Sequence, residues 1–522
     1  MRKAEKLSEA IGKIEDNLIE EAGDYHQSLK KRTRKHMVVR IVALVACFCL
    51  IISGVAAGNL MLNSHRSCPG KAGKGEPVVK ETPVDDLDFF SDETLSEDAL
   101  YSYEEETQMQ NDLTDKITTA EVSAVEPQYP KTVYDSDQIN TAQNMEYLGE
   151  FCRNTMQQLL AGGQETDNYT NKVYSPVDLY LALGMLAELT DGNTRQQILD
   201  LLEVDDLNDL QNQAIGLWES SYLEDETTTV VLGNSLWLGN EMDVDVSVLE
   251  NLSEYYYASS YLIGGESVEL NRIFRQWLRS QTGGLLEEKI SGLELDSSNM
   301  LALVSTLYYQ ACWSEEFYPE NTAQDIFYSY DGEIDCEFMN QSSVDVVYYG
   351  EAFSAVKKSL GTGGNMWLIL PDAAISIEEM LTREAVNTDE MMTLLLSDGE
   401  WENSESVMIN LSMPKFDIVS DMDMTEDLQA LGVTEIFDGT VSDFTTLTTD
   451  MEGLYVSEIK HAVRVAVDEE GCTAAAYTTA DTSNETSSSE REVDFVLNRP
   501  FLFVITSTDN IPLFAGVVHT PV

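Results

Sequence analysis

A chain of 522 residues with 43% hydrophobic side chains is long enough to bury a sizeable core, in one large domain or several small ones. Its 92 Asp and Glu against 31 Lys and Arg leave a formal net charge of −61, which repels a polyanion and excludes nucleic acid as a partner. The 9% of aromatic residues supply core material that a solvated acidic polymer lacks, so a folded acidic protein is expected rather than a disordered one.

Cys47 and Cys49 sit in an apolar run and Cys68 just beyond it, while Cys152, Cys312, Cys336 and Cys472 are scattered without CxxC spacing. Neither a disulfide framework nor a zinc site is indicated, and no metal or cofactor is expected. The five histidines are His26, His36 and His65 around the apolar run and His461 and His519 far from it, a poor supply for histidine-based catalysis.

In chain order, residues 1–40 carry Leu7, Ile11, Ile14 and Leu18 at helical spacing among mixed charges, the pattern of a short amphipathic helix. Residues 41–62, IVALVACFCLIISGVAAGNLML, carry no charge and are long enough to span a bilayer as a helix. The basic flank Lys30–His36, followed by Arg40, predicts that the N-terminus stays in the cytoplasm and the C-terminal part faces outward, as in a single-pass signal-anchor. A cleaved secretory signal fits less well because forty residues precede the run. A lipoprotein signal at Leu44–Cys47 fits less well because Arg40 intrudes and most of the apolar run follows the cysteine. Residues 63–140 are rich in Asp, Glu, Ser, Thr and Pro and read as an acidic disordered linker, a stalk that repels itself.

From 141 to 522 helical and strand signals alternate without a linker, except for the polar stretch near Asp481–Glu490, and this predicts one large α+β domain. YSPVDLYLALGMLAELT, with Pro176 after Ser175, reads as a capped, buried helix. TTVVLGNSLWL, LALVSTLYYQACW, MWLILP, RVAVD and FLFVIT read as buried strands.

Taken together these segments resemble the serpin family. The Ser-Pro helix with its Gly-Asn-Thr turn is followed in serpin order by NSLWL at Asn234–Leu238 and by LNRIFRQWLRSQTGGLLEEKI with Asn271, Trp277, Thr282 and Gly284. Next come Trp313, Phe317, Pro319 and Thr322, then MWLILPD, MPKFDI, LGVTEIF, FVLNRPFLFVI at Phe495–Ile505 and PLFAGVV. The resemblance covers about 141–522 and implies a serpin fold: three mostly antiparallel β-sheets, a helical N-terminal half and an exposed reactive loop, here preceded by a single transmembrane helix.

It also implies that DEEGCTAAAYTTA, Asp468–Ala480, is the reactive-loop hinge, with Gly471, Cys472, Thr473, Ala474, Ala475, Ala476 and Thr478 as its working residues. A segment that enters a sheet as a new strand needs small, uncharged side chains on the core face and no proline. Counting in twos, Cys472, Ala474, Ala476, Thr478, Ala480, Thr482 and Asn484 share one face, while Tyr477, Asp481 and Glu485 fall on the other. Counting from the hinge puts the scissile bond at Glu485–Thr486, whereas counting back from Pro500 puts Ser489 before it. The run Ser487–Ser489 would suit elastase-like enzymes and Arg491, the loop's basic residue, trypsin-like ones. Of the shutter and breach residues that control sheet opening, Ser175, Pro176 and His461 match, Trp313 is expected at the top of the same sheet, Asp178 replaces a serine and Ser305 replaces an asparagine. A rewired network is expected, with Asp178 accepting from His461.

The function so implied is that of an outward-facing, membrane-tethered inhibitor, monomeric and not itself an enzyme, that traps serine or cysteine proteases as a suicide substrate. A bacterial cell-surface setting fits the tether, and a non-inhibitory serpin-fold binding module is the alternative.

Overall fold

The computed structural model describes residues 122–125, 127, 141–161, 169–225, 227–239, 242–263, 267–281, 301–382, 386–397, 401–451, 453–456, 459–472 and 491–521. The expected cytoplasmic segment 1–40 and membrane span 41–62 lie outside these residues, and among the described residues no helix is long and apolar enough to cross a membrane.

The first half of the chain runs β1 (Val122–Val125), α1 (Thr141–Leu160), β2 (Lys172–Tyr174), α2 (Pro176–Leu189), α3 (Gly192–Leu201), α4 (Leu207–Ser221), β3 (Leu223–Glu224), β4 (Thr228–Gly239), α5 (Val246–Tyr255), β5 (Ala258–Ile263) and α6 (Ser267–Gln281). The second begins with β6 (Leu301–Cys312), β7 (Ala323–Ser329), β8 (Gly332–Tyr349), β9 (Phe353–Ser359), β10 (Asn365–Pro371), α7 (Ile377–Thr382) and α8 (Val386–Leu396). It closes with β11 (Ser404–Pro414), β12 (Phe416–Asp423), α9 (Thr425–Ala430), β13 (Lys460–Val467), β14 (Gly471–Cys472), β15 (Glu492–Val496), β16 (Phe501–Thr506) and β17 (Pro512–Val518).

Helix starts follow local capping chemistry. The Ser175 hydroxyl accepts from the Asp178 amide at 3.2 Å with Pro176 in the first turn, and Asp206 and Asp245 cap α4 and α5 in the same way. Strand faces follow the period of two: in β12 Phe416 and Ile418 are buried while Asp417 is exposed. β16 and β17 are buried along their whole length, as the unbroken apolar run FLFVIT requires.

Among the described residues the strands form two hydrogen-bonded sheets rather than the three expected. The larger, nine-stranded one runs β15-β11-β8-β9-β10-β16-β17-β2, with β7 paired to β8. It is continuous because β8, 18 residues long, pairs with β7 and β11 over most of its length and with β9 at its end, so one strand belongs to two layers. The other, eight-stranded, runs β1-β5-β4-β6-β14-β13-β12, with β3 paired to β4.

A second correction concerns the linker. Val122–Val125 lie within 63–140, yet they pair antiparallel with β5, from Val122↔Ile263 to Val125↔Ser260. The alternation VSAV offers too short a signal to stand out in a polar stretch, and the edge of β5 supplies the missing partner.

The main core lies between the sheets and under α2, which is buried on nearly all sides and packs against β6 and β17. A smaller cluster of Trp237, Ile273, Phe274, Trp277 and Leu278 seats α6 on β4, with Trp237 and Phe274 edge to face at 5.4 Å. Each such fully buried side chain contributes about 1.5–3 kcal/mol through removal from water.

Candidate functional site

The stretch that leaves β13 turns back at once. Asp468 accepts from the amides of Glu470 (2.9 Å) and Gly471 (3.2 Å), and the Asp468 amide donates to the Gly471 carbonyl at 3.0 Å. The tight turn delivers Gly471 and Cys472 as the two-residue strand β14, antiparallel to β6 through Gly471↔Cys312 and Cys472↔Ala311 and to β13 through Val467↔Cys472. A glycine is required there: a Cβ on residue 471 would stand 2.3 Å from the Ala311 carbonyl oxygen and 2.7 Å from Cys312 Cα. Cys472 is buried in the main core.

Among the described residues β6 and β13 pair with β14 but not with each other, so two parallel strands flank a slot that begins at β14. A chain continuing from Cys472 between these two strands would run antiparallel to both.

The top of the slot is tied by Trp313, which follows β6. Its amide donates to Glu470 O at 3.1 Å and its ring Nε1 to Asp468 O at 2.9 Å, while Phe317 N donates to Glu469 O at 3.0 Å. Lys358 Nζ lies 5.2 Å from the Trp313 ring centre and 4.4 Å from that of Phe317. It also donates to Glu315 O (2.8 Å) and Gln341 Oε1 (2.6 Å), and burial lowers its pKa to about 8.

A group absent from the sequence reading completes this end. Lys415, in the turn between β11 and β12, lies 2.7 Å from Glu469 and 3.0 Å from Glu337, and Thr322 donates to Glu469 at 2.8 Å. The signal was present in two quoted motifs, MPKFDI and DEEG, as opposite charges with no local reason to meet.

The lower part of the slot is bridged by the first turn of α2. His461 on β13 accepts the Ser175 amide at Nε2, 2.9 Å, so in its neutral form it carries its proton on Nδ1. On the other side Ser305 Oγ of β6 lies 2.5 Å from Asp178 Oδ1 and 2.5 Å from Asn234 Oδ1 on β4, whose Nδ2 donates to Tyr256 O at 2.9 Å. The expected bond from His461 to Asp178 is not formed: the atoms are 3.6 Å apart, beyond hydrogen-bond range. His461 is instead spent on the backbone of Ser175, and Asp178 on Ser305.

Burial sets the charge of the pair. It lowers His461 to about 4 and raises Asp178 to about 7 against the opposing bond from Ser305. A protonated Asp178 also resolves the count of hydrogens, because the single Ser305 hydroxyl proton cannot serve two carbonyl-type acceptors. With the acid neutral, Asp178 donates to Ser305 and Ser305 to Asn234.

Ser175, Pro176, Asp178, Ser305 and His461 are thus brought together in the lower part of the slot, and Gly471, Cys472 and Trp313 at its upper end. Thr473, Ala474, Ala475, Ala476, Thr478 and the scissile candidates Glu485 and Thr486 lie outside the described residues. Among the described residues no cluster of three or more His, Cys, Asp or Glu is arranged to hold a metal ion.

Residues 147–521 match the family described as Serpin (serine protease inhibitor). Mouse neuroserpin is 27% identical over 366 residues, covering 67% of this chain and 86% of its own length. Serpin-Z2B of Triticum aestivum is 26% identical, over 67% of this chain and 90% of its own, and bovine antithrombin-III 26%, over 68% and 77%. Among solved structures, native tengpin, a thermophilic serpin, superposes with a TM-score of 0.62 at 24% identity, covering 76% of this chain and 97% of its own. The same protein in its latent state gives 0.59 at 22% identity, covering 76% and 99%.

Proposed function

Because the chain belongs to the serpin family, we propose that it inhibits serine or cysteine proteases by offering its loop as a substrate and inserting the cut end into the eight-stranded sheet. The observation that carries this reading is β14: Gly471 and Cys472 already pair as a strand between β6 and β13, at the head of a slot with no other described occupant.

In this mechanism the protease supplies the chemistry. Its nucleophile attacks the carbonyl of Glu485, the bond to Thr486 breaks with the new amine leaving, and an ester or thioester joins the two proteins. The hinge then extends β14 downward, each added residue pairing with β6 and β13, and carries the attached enzyme with it. The small neutral side chains at alternate positions from Ala474 to Asn484 suit the core face. No residue of this chain acts as nucleophile or base.

The tether belongs to the same proposal. Residues 41–62 hold the protein in a membrane with the N-terminus in the cytoplasm and the inhibitor outside, as a monomer, and the bacterial setting rests on the tether alone. Incubation of the full chain with serine and cysteine proteases should give a denaturant-resistant complex and a released peptide beginning at Thr486. A non-inhibitory binding module would instead be cut without a complex and without a rise in melting temperature. Extraction of membranes at alkaline pH should leave the protein in the pellet; its release would remove the tether.

A further inference from the structure

The far end of the loop is fixed by residues that the function above does not use. The carbonyl of Arg491 accepts from the Met408 amide at 3.0 Å, Glu492 to Val496 lie in parallel register with Met408 to Ser412, and the Leu497 amide donates to Ser412 O at 2.9 Å. Side chains reinforce this seam: Arg491 Nη1 meets Glu405 Oε2 at 2.6 Å, and Asn410 Nδ2 donates to Asp494 Oδ1 at 2.8 Å. The backbone is therefore zipped onto β11 from residue 491 onward.

We propose that this seam takes Arg491 out of the segment a protease can engage, so that the enzymes trapped are not arginine-directed but have a cationic S1 pocket suited to an acidic side chain. The inference rests on the trapping reading above. An endopeptidase holds several residues on each side of the scissile bond extended in its own cleft. To cut after Arg491 it would have to strip Glu492, Val493 and Asp494 from the β11 ladder, breaking main-chain bonds before it gains any. Upstream, residues 473–490 contain no Lys or Arg, whereas Asp481, Glu485 and Glu490 are acidic. A trypsin-like S1 pocket, with its buried carboxylate, would have to desolvate against like charge. The opposite case is favoured at long range as well, since a net charge of −61 draws a protease whose cleft is rimmed by basic residues.

The test exposes the full chain to a glutamate-directed, an arginine-directed and an elastase-like endopeptidase, and sequences every released peptide. A denaturant-resistant complex with the glutamate-directed enzyme, and an Arg491–Glu492 bond that stays intact with the arginine-directed one, is the expected result. Glu485→Arg should transfer trapping to the arginine-directed enzyme. Glu405→Gln, which removes the exposed ion pair, should speed cutting after Arg491 by about threefold with no complex. Trapping of the arginine-directed enzyme by the unaltered chain, with a peptide beginning at Glu492, overturns the proposal, as does trapping by the elastase-like enzyme alone. If no enzyme is trapped by either form while the Arg491–Glu492 bond survives, the inhibitor reading falls and the seam as boundary stands.

Discussion

Lys415 Nζ lies 2.7 Å from Glu469 Oε1, joining the turn between β11 and β12 to the residue two places before β14. The pair matters because everything that positions the hinge, from the Phe317 amide on Glu469 O to the Asp468 turn, hangs on this short stretch.

Glu469→Gln keeps the shape and the contact with Thr322 but loses the charge. Burial opposes ionisation of Glu469, and the bonds from Lys415 and Thr322 outweigh it, so its pKa is held below the ordinary value. The sign follows: the contribution is present above the unfolded carboxylate range and is lost as pH falls through the folded value. With Lys415 30% exposed, the expected loss at pH 7 is about 1–2 kcal/mol, read from urea denaturation. A difference between the two proteins that does not shrink on acidification would show that the charge contributes nothing.

Gly471→Ala places a methyl group against two backbone atoms of β6 that cannot move aside without breaking the ladder. The two rungs of β14 should open, at a cost of about 1–3 kcal/mol. In a protease assay more molecules should be consumed as substrate for each enzyme trapped. Equal stability and equal stoichiometry would mean that β14 does not start insertion.

Ser305→Ala removes the link between β6 and α2. Asn234 Oδ1 and the Asp178 carboxyl then lose their shared partner in a buried place, and about 1–3 kcal/mol should be lost. Ser305→Asn offers an amide that can donate to Asn234 Oδ1 and accept from the protonated Asp178, and it should recover part of the loss. Failure of Ser305→Ala to change the unfolding midpoint would leave the network without a structural role.

What could be read beforehand divides along sequence distance. Ser175 and Pro176 announce a helix start by themselves and FLFVIT announces a buried strand, because each of these is written within a few neighbours. The family pattern added which of these lie together, as with Ser175 and His461. The bonds that bring Lys415 to Glu469 and Asn234 to Ser305 span long separations and depend on strand register, so charge and polarity alone gave no partner. The same cause explains the misplaced proton. Asp178 was expected to accept from His461, but each met a nearer partner, and burial disfavours charge on both. β1 escaped notice because only the edge of β5 makes a strand of it.

Asp178 and His461 also fix a dependence on pH that can be worked out from both states. Unfolded, the carboxyl and the imidazole take their ordinary values of 3.8 and 6.5; folded, they stand near 7 and 4. Between about pH 4 and 6.5 the unfolded pair therefore holds one proton on the imidazole and the folded pair one on the carboxyl, so the pair contributes no slope. Above that range Asp178 acts alone: its raised value means stability is lost as pH rises through about 7. Asp178→Asn removes the carboxyl and leaves an amide that can donate to Ser305 as the protonated acid does. His461 is then unbalanced, and because its folded value is depressed, stability present above 6.5 drains away as pH falls toward 4, by about 1.4 kcal/mol per pH unit. The variant should match or exceed the parent protein near pH 7.5 and fall progressively behind it on acidification. Urea denaturation of both proteins from pH 4.5 to 7.5 measures this, and a constant gap across the range would show that the shutter proton does not reside on Asp178.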